Sequence, residues 1–253
     1  MDRGKNILTM YLSIVLLPNT KQTLVSLVDI SKRKRLEETL QQTNKKLNLL
    51  NSITRHDINN QLTMLQGYLH IMEMEPSYPM NNGYFQKVKT VAERISSSIQ
   101  FTQEYEKIGV TDPVWHNCHT LVDTAATQIL FGDSIVKNDI PAGTKVFADP
   151  LIVKVFYNLM DNSVRYGGKI TNIRFSLEDH DGEYIIVCED DGIGIPTDEK
   201  EKIFERGFGQ NTGLGLFISR EILLITGLDI RETGVPDKGA RFEITVPPGS
   251  FRI

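Results

Sequence analysis

At 253 residues, 40% of them hydrophobic, the chain is long enough for two domains and a sizeable core. Its formal net charge of −4 has the wrong sign for a duplex nucleic-acid binder, which carries a basic stripe, so no nucleic-acid partner is expected. Cys118 and Cys188 are its only cysteines and form neither a disulfide framework nor a zinc-ligand spacing, which fits a reducing, cytoplasmic setting.

In chain order, Ile7 to Leu17 and Thr23 to Ile30 are β-rich runs separated by the turn-forming Pro18-Asn19-Thr20-Lys21, the pattern of an antiparallel hairpin. The first run is interrupted by Thr9 and Ser13, is far shorter than the ~20 residues of a bilayer-spanning helix, and lacks a small-residue cleavage site. No membrane segment is expected in this chain. At Asp29 to Lys34 a strand gives way to a helix, with Ser31 as the expected N-cap. The passage resembles the last strands and exit motif of PAS sensor domains, of which residues 1–34 would be the tail and linker.

From Leu36 to Met74 the chain lacks proline, and Leu47, Leu50, Ile58, Leu62, Leu65, Leu69 and Met72 recur at spacings of mostly three and four, which predicts a long amphipathic helix. After the breaker-rich Glu75 to Gly83, a second stripe runs through Phe85, Val88, Ala92, Ile95, Ile99 and Thr102. Residues 35–108 therefore read as a helical hairpin. Two helices alone bury a heptad-type seam poorly, so a homodimer closing into a four-helix bundle is expected. The alternative is a monomer whose hairpin packs on the following domain.

Beyond Gly109, Leu121 to Leu130, Leu151 to Val164, Asp198 to Phe204 and Leu216 to Leu224 read as helices. Ile170 to Leu177, Tyr184 to Cys188 and Arg241 to Val246 read as strands. Elements in this order, without regular βαβ alternation, predict an α+β layered sandwich over residues 109–253.

Three patches in this region describe a pocket for a magnesium-nucleotide. Asp190 leaves an apolar strand beside Gly192 and Gly194; its carboxylate can accept a hydrogen bond from a base amine, and the glycines let a flat ring approach the backbone. Asn158 and Asn162 lie four apart on one helix face, with Asn162 the expected Mg2+ ligand, since magnesium in nucleotide sites takes one or two protein oxygens besides phosphate and water. Arg165, one turn on, can pair with phosphate. Gly213, Leu214, Gly215 and Leu216 open a helix whose first amides can hold phosphate oxygens.

In their order these patches resemble the catalytic core of a sensor histidine kinase of two-component signalling. Asn158 to Tyr166 is similar to the N box, Asp190 to Pro196 to the first glycine box, Ile203 to Phe208 to the F box and Thr212 to Leu216 to the second glycine box. Asp149-Pro150 and Gly239 to Phe242 extend the match. The resemblance implies an ATP-binding sandwich of the type shared by gyrase, the chaperone ATPases and MutL, with Tyr166 among the nucleotide-binding residues. Two features depart from the family pattern: the lid-like stretch from Pro196 to Thr212 is short, and Arg165 stands where lysine is frequent, a change that keeps a cation for phosphate. Arg206 is a candidate lid contact.

Upstream, His56 lies two positions from Ile58, about 200° round the helix, and so points away from the apolar seam. Asp57 is an adjacent base and Asn60 follows one turn later. His-Asp-x-x-Asn resembles the family's H box, which implies that His56 accepts the phosphoryl group, Asp57 assists, and Asn60 positions water for dephosphorylating a partner. His70 faces nearly the same way without an adjacent acid, and His116, His119 and His180 fall in loop or edge contexts. The resemblance further implies ATP and Mg2+ as cofactors and a response-regulator receiver domain as partner. Competing readings are an ATPase clamp of the gyrase or MutL type, disfavoured because no transducer follows the last strand and Asn158 replaces a catalytic glutamate, and a degenerate dimeric scaffold without turnover.

Overall fold

A computed structural model describes residues 9–16, 23–34, 58–74, 83–132, 134–180, 182–209 and 213–253, with isolated positions between 36 and 47. His56, Asp57 and the breaker-rich residues 75–82 lie outside the described residues. The chain divides into two compact units, Met1–Asp57 and Ile58–Ile253.

In the first unit, β1 (Met10–Leu16) and β2 (Thr23–Asp29) form the expected antiparallel hairpin, with Met10 opposite Asp29 and Leu16 opposite Thr23. The chain turns helical at residue 31. Ser31 is not the cap expected from the sequence. Its amide donates to the Asp29 carboxylate at 2.9 Å, and its hydroxyl accepts from the Thr9 amide at 2.8 Å, because a hydroxyl beside a strand end has a free donor within closer reach than its own helix.

The second unit opens with α1 (Ile58–Met74) and α2 (Tyr84–Lys107), which pack as a helical hairpin. Tyr68 on α1 and Tyr84 on α2 approach to 6.2 Å between centroids, with the Lys87 ammonium near both rings. On α1 the better-covered positions are Ile58, Gln61, Leu65 and Tyr68, at spacings of three, four and three. Leu62, Leu69 and Met72 of the sequence stripe are left exposed, as are Phe85 and Ile99 on α2, so part of the apolar seam is not covered by the described residues.

Gly109 ends the hairpin. Its amide donates to Asp149 Oδ2 at 2.9 Å while Asp149 Oδ1 accepts from Leu151 N at 2.8 Å, so one buried carboxylate joins the hairpin exit to the start of a helix in the next layer. There, β3 (Val114–Asn117), β5 (Lys145–Ala148) and β10 (Phe251–Arg252) form a three-stranded sheet in the order β10-β5-β3. Trp115 packs on Phe147 at 5.5 Å and is covered by the Arg252 guanidinium at 3.7 Å.

The larger sheet runs β4-β6-β7-β9-β8, built from β4 (Ile135–Asn138), β6 (Asn172–His180), β7 (Glu183–Asp190), β8 (Asp229–Glu232) and β9 (Arg241–Val246). Only the β4–β6 pairing is parallel. Alternation sets its faces: Phe242, Ile244 and Val246 of β9 point inward, while Arg241 and Glu243 lie on the outer side, where Arg241 pairs with Glu178 at 2.9 Å and Glu243 at 2.7 Å. Three helices accompany these sheets: α3 (Cys118–Ala126), α4 (Ile152–Tyr166) and α5 (Gly215–Leu224). The core forms where Val155, Phe156, Leu159 and Met160 of α4 meet Ile173, Phe175 and Val187 of the sheet, with the Phe156 and Phe175 rings 5.7 Å apart. Cys118 and Cys188 are both buried free thiols; burial pushes Cys118 up to about 12 and raises Cys188 as well, so both stay protonated.

This is the expected α+β architecture of a helical hairpin followed by a layered sandwich. Two further details differ from the sequence reading. Asp198 to Phe204 is not a helix but a turn ending in a short 3₁₀ segment, Lys202–Phe204. The residues that would continue a helix are held individually: Lys200 pairs with the buried Glu232 at 2.7 Å and donates to the Gly234 carbonyl, and Phe204 is buried beneath the Arg220 guanidinium. His119 stands in α3, not a loop, with Nδ1 2.6 Å from the Ile140 carbonyl; His116 lies on the edge strand β3 and His180 ends β6.

Candidate functional site

The three sequence patches converge. A cleft of about 970 Å³ is lined by Asn158, Asn162, Arg165 and Tyr166 from α4, by Asp190 and Gly194 from the end of β7, and by Gly213, Leu214, Gly215 and Leu216 at the start of α5. Gly192 does not line it and acts from below.

Asp190 is fixed by the loops around it. Ser163 Oγ donates to Oδ2 at 2.6 Å, and the amides of Gly192 and Ala240 each donate to Oδ1 at 3.0 Å. A carboxylate offers about four acceptor positions, so these three bonds fill Oδ1 and half of Oδ2. One acceptor position remains on a group that lines the cleft. Isoleucine side chains and a phenylalanine, Ile195, Ile218 and Phe242, line the same cleft and give it an apolar wall suited to a flat ring.

Glycine is required where these loops touch. A Cβ on Gly192 would lie 2.4 Å from the Gly167 carbonyl, the acceptor of the Ile193 amide that joins this turn to the end of α4. At Gly239, with φ at +109°, a Cβ would sit 1.8 Å from the Asp190 carbonyl. Gly239→Ala is therefore expected to cost at least about 2 kcal/mol of stability and to lift the floor under Asp190. Denaturant unfolding checks the first effect and nucleotide titration the second; an unchanged midpoint would mean that the loop relaxes freely.

Asn158 is buried, and its amide nitrogen donates to Gly215 O at 2.9 Å and Ser219 Oγ at 3.0 Å, tying α4 to the first turn of α5. It thus holds the glycine-rich helix start in place. Asn162, one turn along, lines the cleft with no side-chain hydrogen bond to another described residue. Its amide oxygen is a hard donor of the kind magnesium takes, so the residue fits the ion. Arg165 lines the cleft too, but its Nε lies 2.7 Å from Asp161 Oδ2, an i,i+4 pair whose hydrogen bond raises the guanidinium pKa. Asp191 faces away from the Asp190 bonds: it accepts from Thr171 Oγ1 at 2.5 Å, Thr171 N at 2.8 Å and Asn172 N at 3.1 Å, and these bonds hold its carboxyl below the usual range. Arg206 is not among the cleft-lining residues, and Asn60 is exposed in the first turn of α1.

Several contributors escape sequence reading. Ser163 is a small polar residue on the inner face of α4, which apart from Asn158 is apolar, a signal that something polar lies opposite. The Ala240 amide carries no signal. Nor does the far wall of the cleft, supplied by α2 through Thr90, Arg94, Ser97, Phe101 and Glu104.

Comparison with known proteins accords with this geometry. Residues 148–250 match the family model described as histidine kinase-, DNA gyrase B-, and HSP90-like ATPase. The signal transduction histidine-protein kinase AtoS of Escherichia coli (strain K12) is 27% identical over 238 residues, covering 88% of this chain and 39% of that protein. Sporulation kinase E of Bacillus subtilis (strain 168) is 26% identical over 237 residues, covering 87% and 31%. The chain thus spans well under half the length of either kinase. Among solved structures, histidine kinase ThkA in complex with response regulator protein TrrA is similar with a TM-score of 0.62 at 21% identity, over 98% of this chain and 77% of that one. Acinetobacter baumannii histidine kinase AdeS gives 0.58 at 20% identity, over 77% and 98%. Residues 148–250 thus match the histidine kinase-, DNA gyrase B-, and HSP90-like ATPase family, and most of the chain is similar to signalling histidine kinases.

Proposed function

We propose that the protein binds ATP in the α4–α5 cleft, phosphorylates its own His56, and passes the phosphoryl group to an aspartate on the receiver domain of a response regulator. The observation that carries this is the Asp190 carboxylate, which has three protein donors and one acceptor position left for the amine of an adenine base. A guanine base would present a carbonyl oxygen there and be repelled. Phosphate oxygens would lie at the amides that open α5. Asn162 would hold Mg2+, which when bound neutralises charge on the phosphates.

In the chemical step an imidazole nitrogen of His56 attacks the γ-phosphorus. A P–N bond forms, the bond to the β-phosphate oxygen breaks, ADP leaves, and Asp57 orients the ring and takes its N–H proton. Residues 35–108 would serve as the dimerisation and phosphotransfer hairpin, residues 109–253 as the ATP domain, and residues 1–34 as the end of a PAS-type sensor. The exposed Leu62, Leu69, Met72, Phe85 and Ile99 suit a homodimeric four-helix bundle. Among the described residues no helix is long and apolar enough to cross a membrane.

The test is Mg2+-dependent transfer of labelled γ-phosphate to the protein, as an acid-labile, base-stable adduct. Hydrolysis without protein labelling would favour an ATPase clamp, and binding without turnover a scaffold. A second measurement isolates Asn60, which we propose positions water against the phosphorylated receiver. Asn60→Ala is expected to lower phosphatase activity about tenfold or more while autophosphorylation stays within about twofold, because His56 and Asp57 remain and alanine sustains the helix. Equal loss of both activities would make Asn60 a structural residue.

A further inference from the structure

The hairpin helix α2 does more than connect: one of its faces lines the nucleotide cleft. Thr90, Arg94, Ser97, Phe101 and Glu104 follow one another at spacings of four, three, four and three, a single face of a helix, and all five line the cleft. The C-terminal half of this face is anchored on the ATP domain. The Phe101 and Phe217 rings are 6.2 Å apart, Tyr105 Oη donates to Glu221 Oε2 at 2.9 Å, and Lys154 Nζ lies 2.9 Å from Glu104 Oε1. These contacts hold α2 against α4 and α5, with the start of α5 two residues before Phe217.

Arg94 stands seven residues before Phe101, about 10 Å further along the helix axis. It is exposed to the cleft and makes no ion pair with another described residue. The other two cations of the cleft lining are engaged, Lys154 by Glu104 and Arg165 by Asp161. Of the nearby acids, Glu93 has Lys89 3.9 Å away, and Glu199 lies in the turn after Pro196. A long flexible cation with no ion pair among the described residues, facing a pocket with helix-start amides, is matched by a polyphosphate.

We propose that Arg94 is a phosphate-binding residue, reaching from the hairpin helix to the terminal phosphates of a nucleoside triphosphate whose base rests on Asp190. This rests on the cleft being the ATP site. A guanidinium pairs bidentately with phosphate oxygens and so fixes their direction as well as their charge. ATP then bridges two parts of the chain: base and magnesium on the sandwich, outer phosphates on the hairpin. The nucleotide itself becomes part of what holds α2 against the cleft.

The experiment is calorimetric titration of the full chain with ATP and, by competition, AMP, which has no β- or γ-phosphate. Arg94→Ala is expected to weaken ATP binding about five- to twentyfold and leave AMP within about twofold, with Arg94→Lys recovering part of the loss. The thermal midpoint without nucleotide is expected to stay put, since Arg94 has no ion-pair partner to lose among the described residues. Unchanged ATP affinity in Arg94→Ala, or equal weakening of ATP and AMP, would overturn the proposal while leaving the ATP site intact. A wild-type chain that binds neither nucleotide would overturn both.

Discussion

Replacing His56 with Gln is expected to remove phosphoryl incorporation from ATP, a loss of at least roughly three orders of magnitude, with ATP affinity within about twofold of wild type. Glutamine keeps a polar side chain of similar reach but offers no ring nitrogen that can carry a phosphoryl group. The described walls of the cleft come entirely from residues after position 89, so substitution at residue 56 takes no described lining group away. Acid-labile label remaining on the variant would place the acceptor elsewhere, and His70, exposed on α1, would be the first residue to replace in turn. Loss of ATP binding together with labelling would mean that the two halves of the chain do not act separately.

Asp190→Asn is expected to weaken ATP binding about ten- to a hundredfold, the range of a lost hydrogen bond to a charged acceptor. The asparagine oxygen can still accept from Gly192 and Ala240, so the loop retains two of its three ties. The amide nitrogen would then occupy the Oδ2 position, where the Ser163 hydroxyl can turn to accept from it but the base amine meets a second donor. Calorimetry measures the loss. An affinity equal to wild type would remove Asp190 from base recognition, and a larger loss for GTP than for ATP would reverse the assigned specificity.

The long elements were legible because each repeats its signal. α1 and α2 show apolar positions every three or four residues, β7 carries a continuous apolar run, and β6 and β9 alternate apolar with polar residues. Strands of four residues or fewer were not. β3, β4, β5 and β10 hold one or two inward side chains each, with charged residues such as Lys137 and Lys145 among them, and take their extended form from a neighbour. Between Asp198 and Phe204 the Glu- and Lys-rich sequence favours a helix locally, yet the Lys200–Glu232 pair and the buried Phe204 override that preference. The site divides in the same way. Asp190, Asn158 and the glycines belong to short contiguous motifs, whereas the Ala240 amide and the α2 wall join the cleft from up to about a hundred residues away, a distance across which spacing conveys nothing.

Trp115, the chain's one tryptophan, lies on β3 between Phe147 and the Arg252 guanidinium, outside the lining of the cleft. Its indole emission is therefore an intrinsic optical reporter of the three-stranded sheet and of the pairing of the C-terminal strand, largely indifferent to what the cleft holds. Fraying of β10 would uncover one face of the ring and shift its spectrum to the red before the larger sheet opens. Fluorescence can thus certify that a variant of the cleft is folded in the same cuvette in which its loss of ligand is measured.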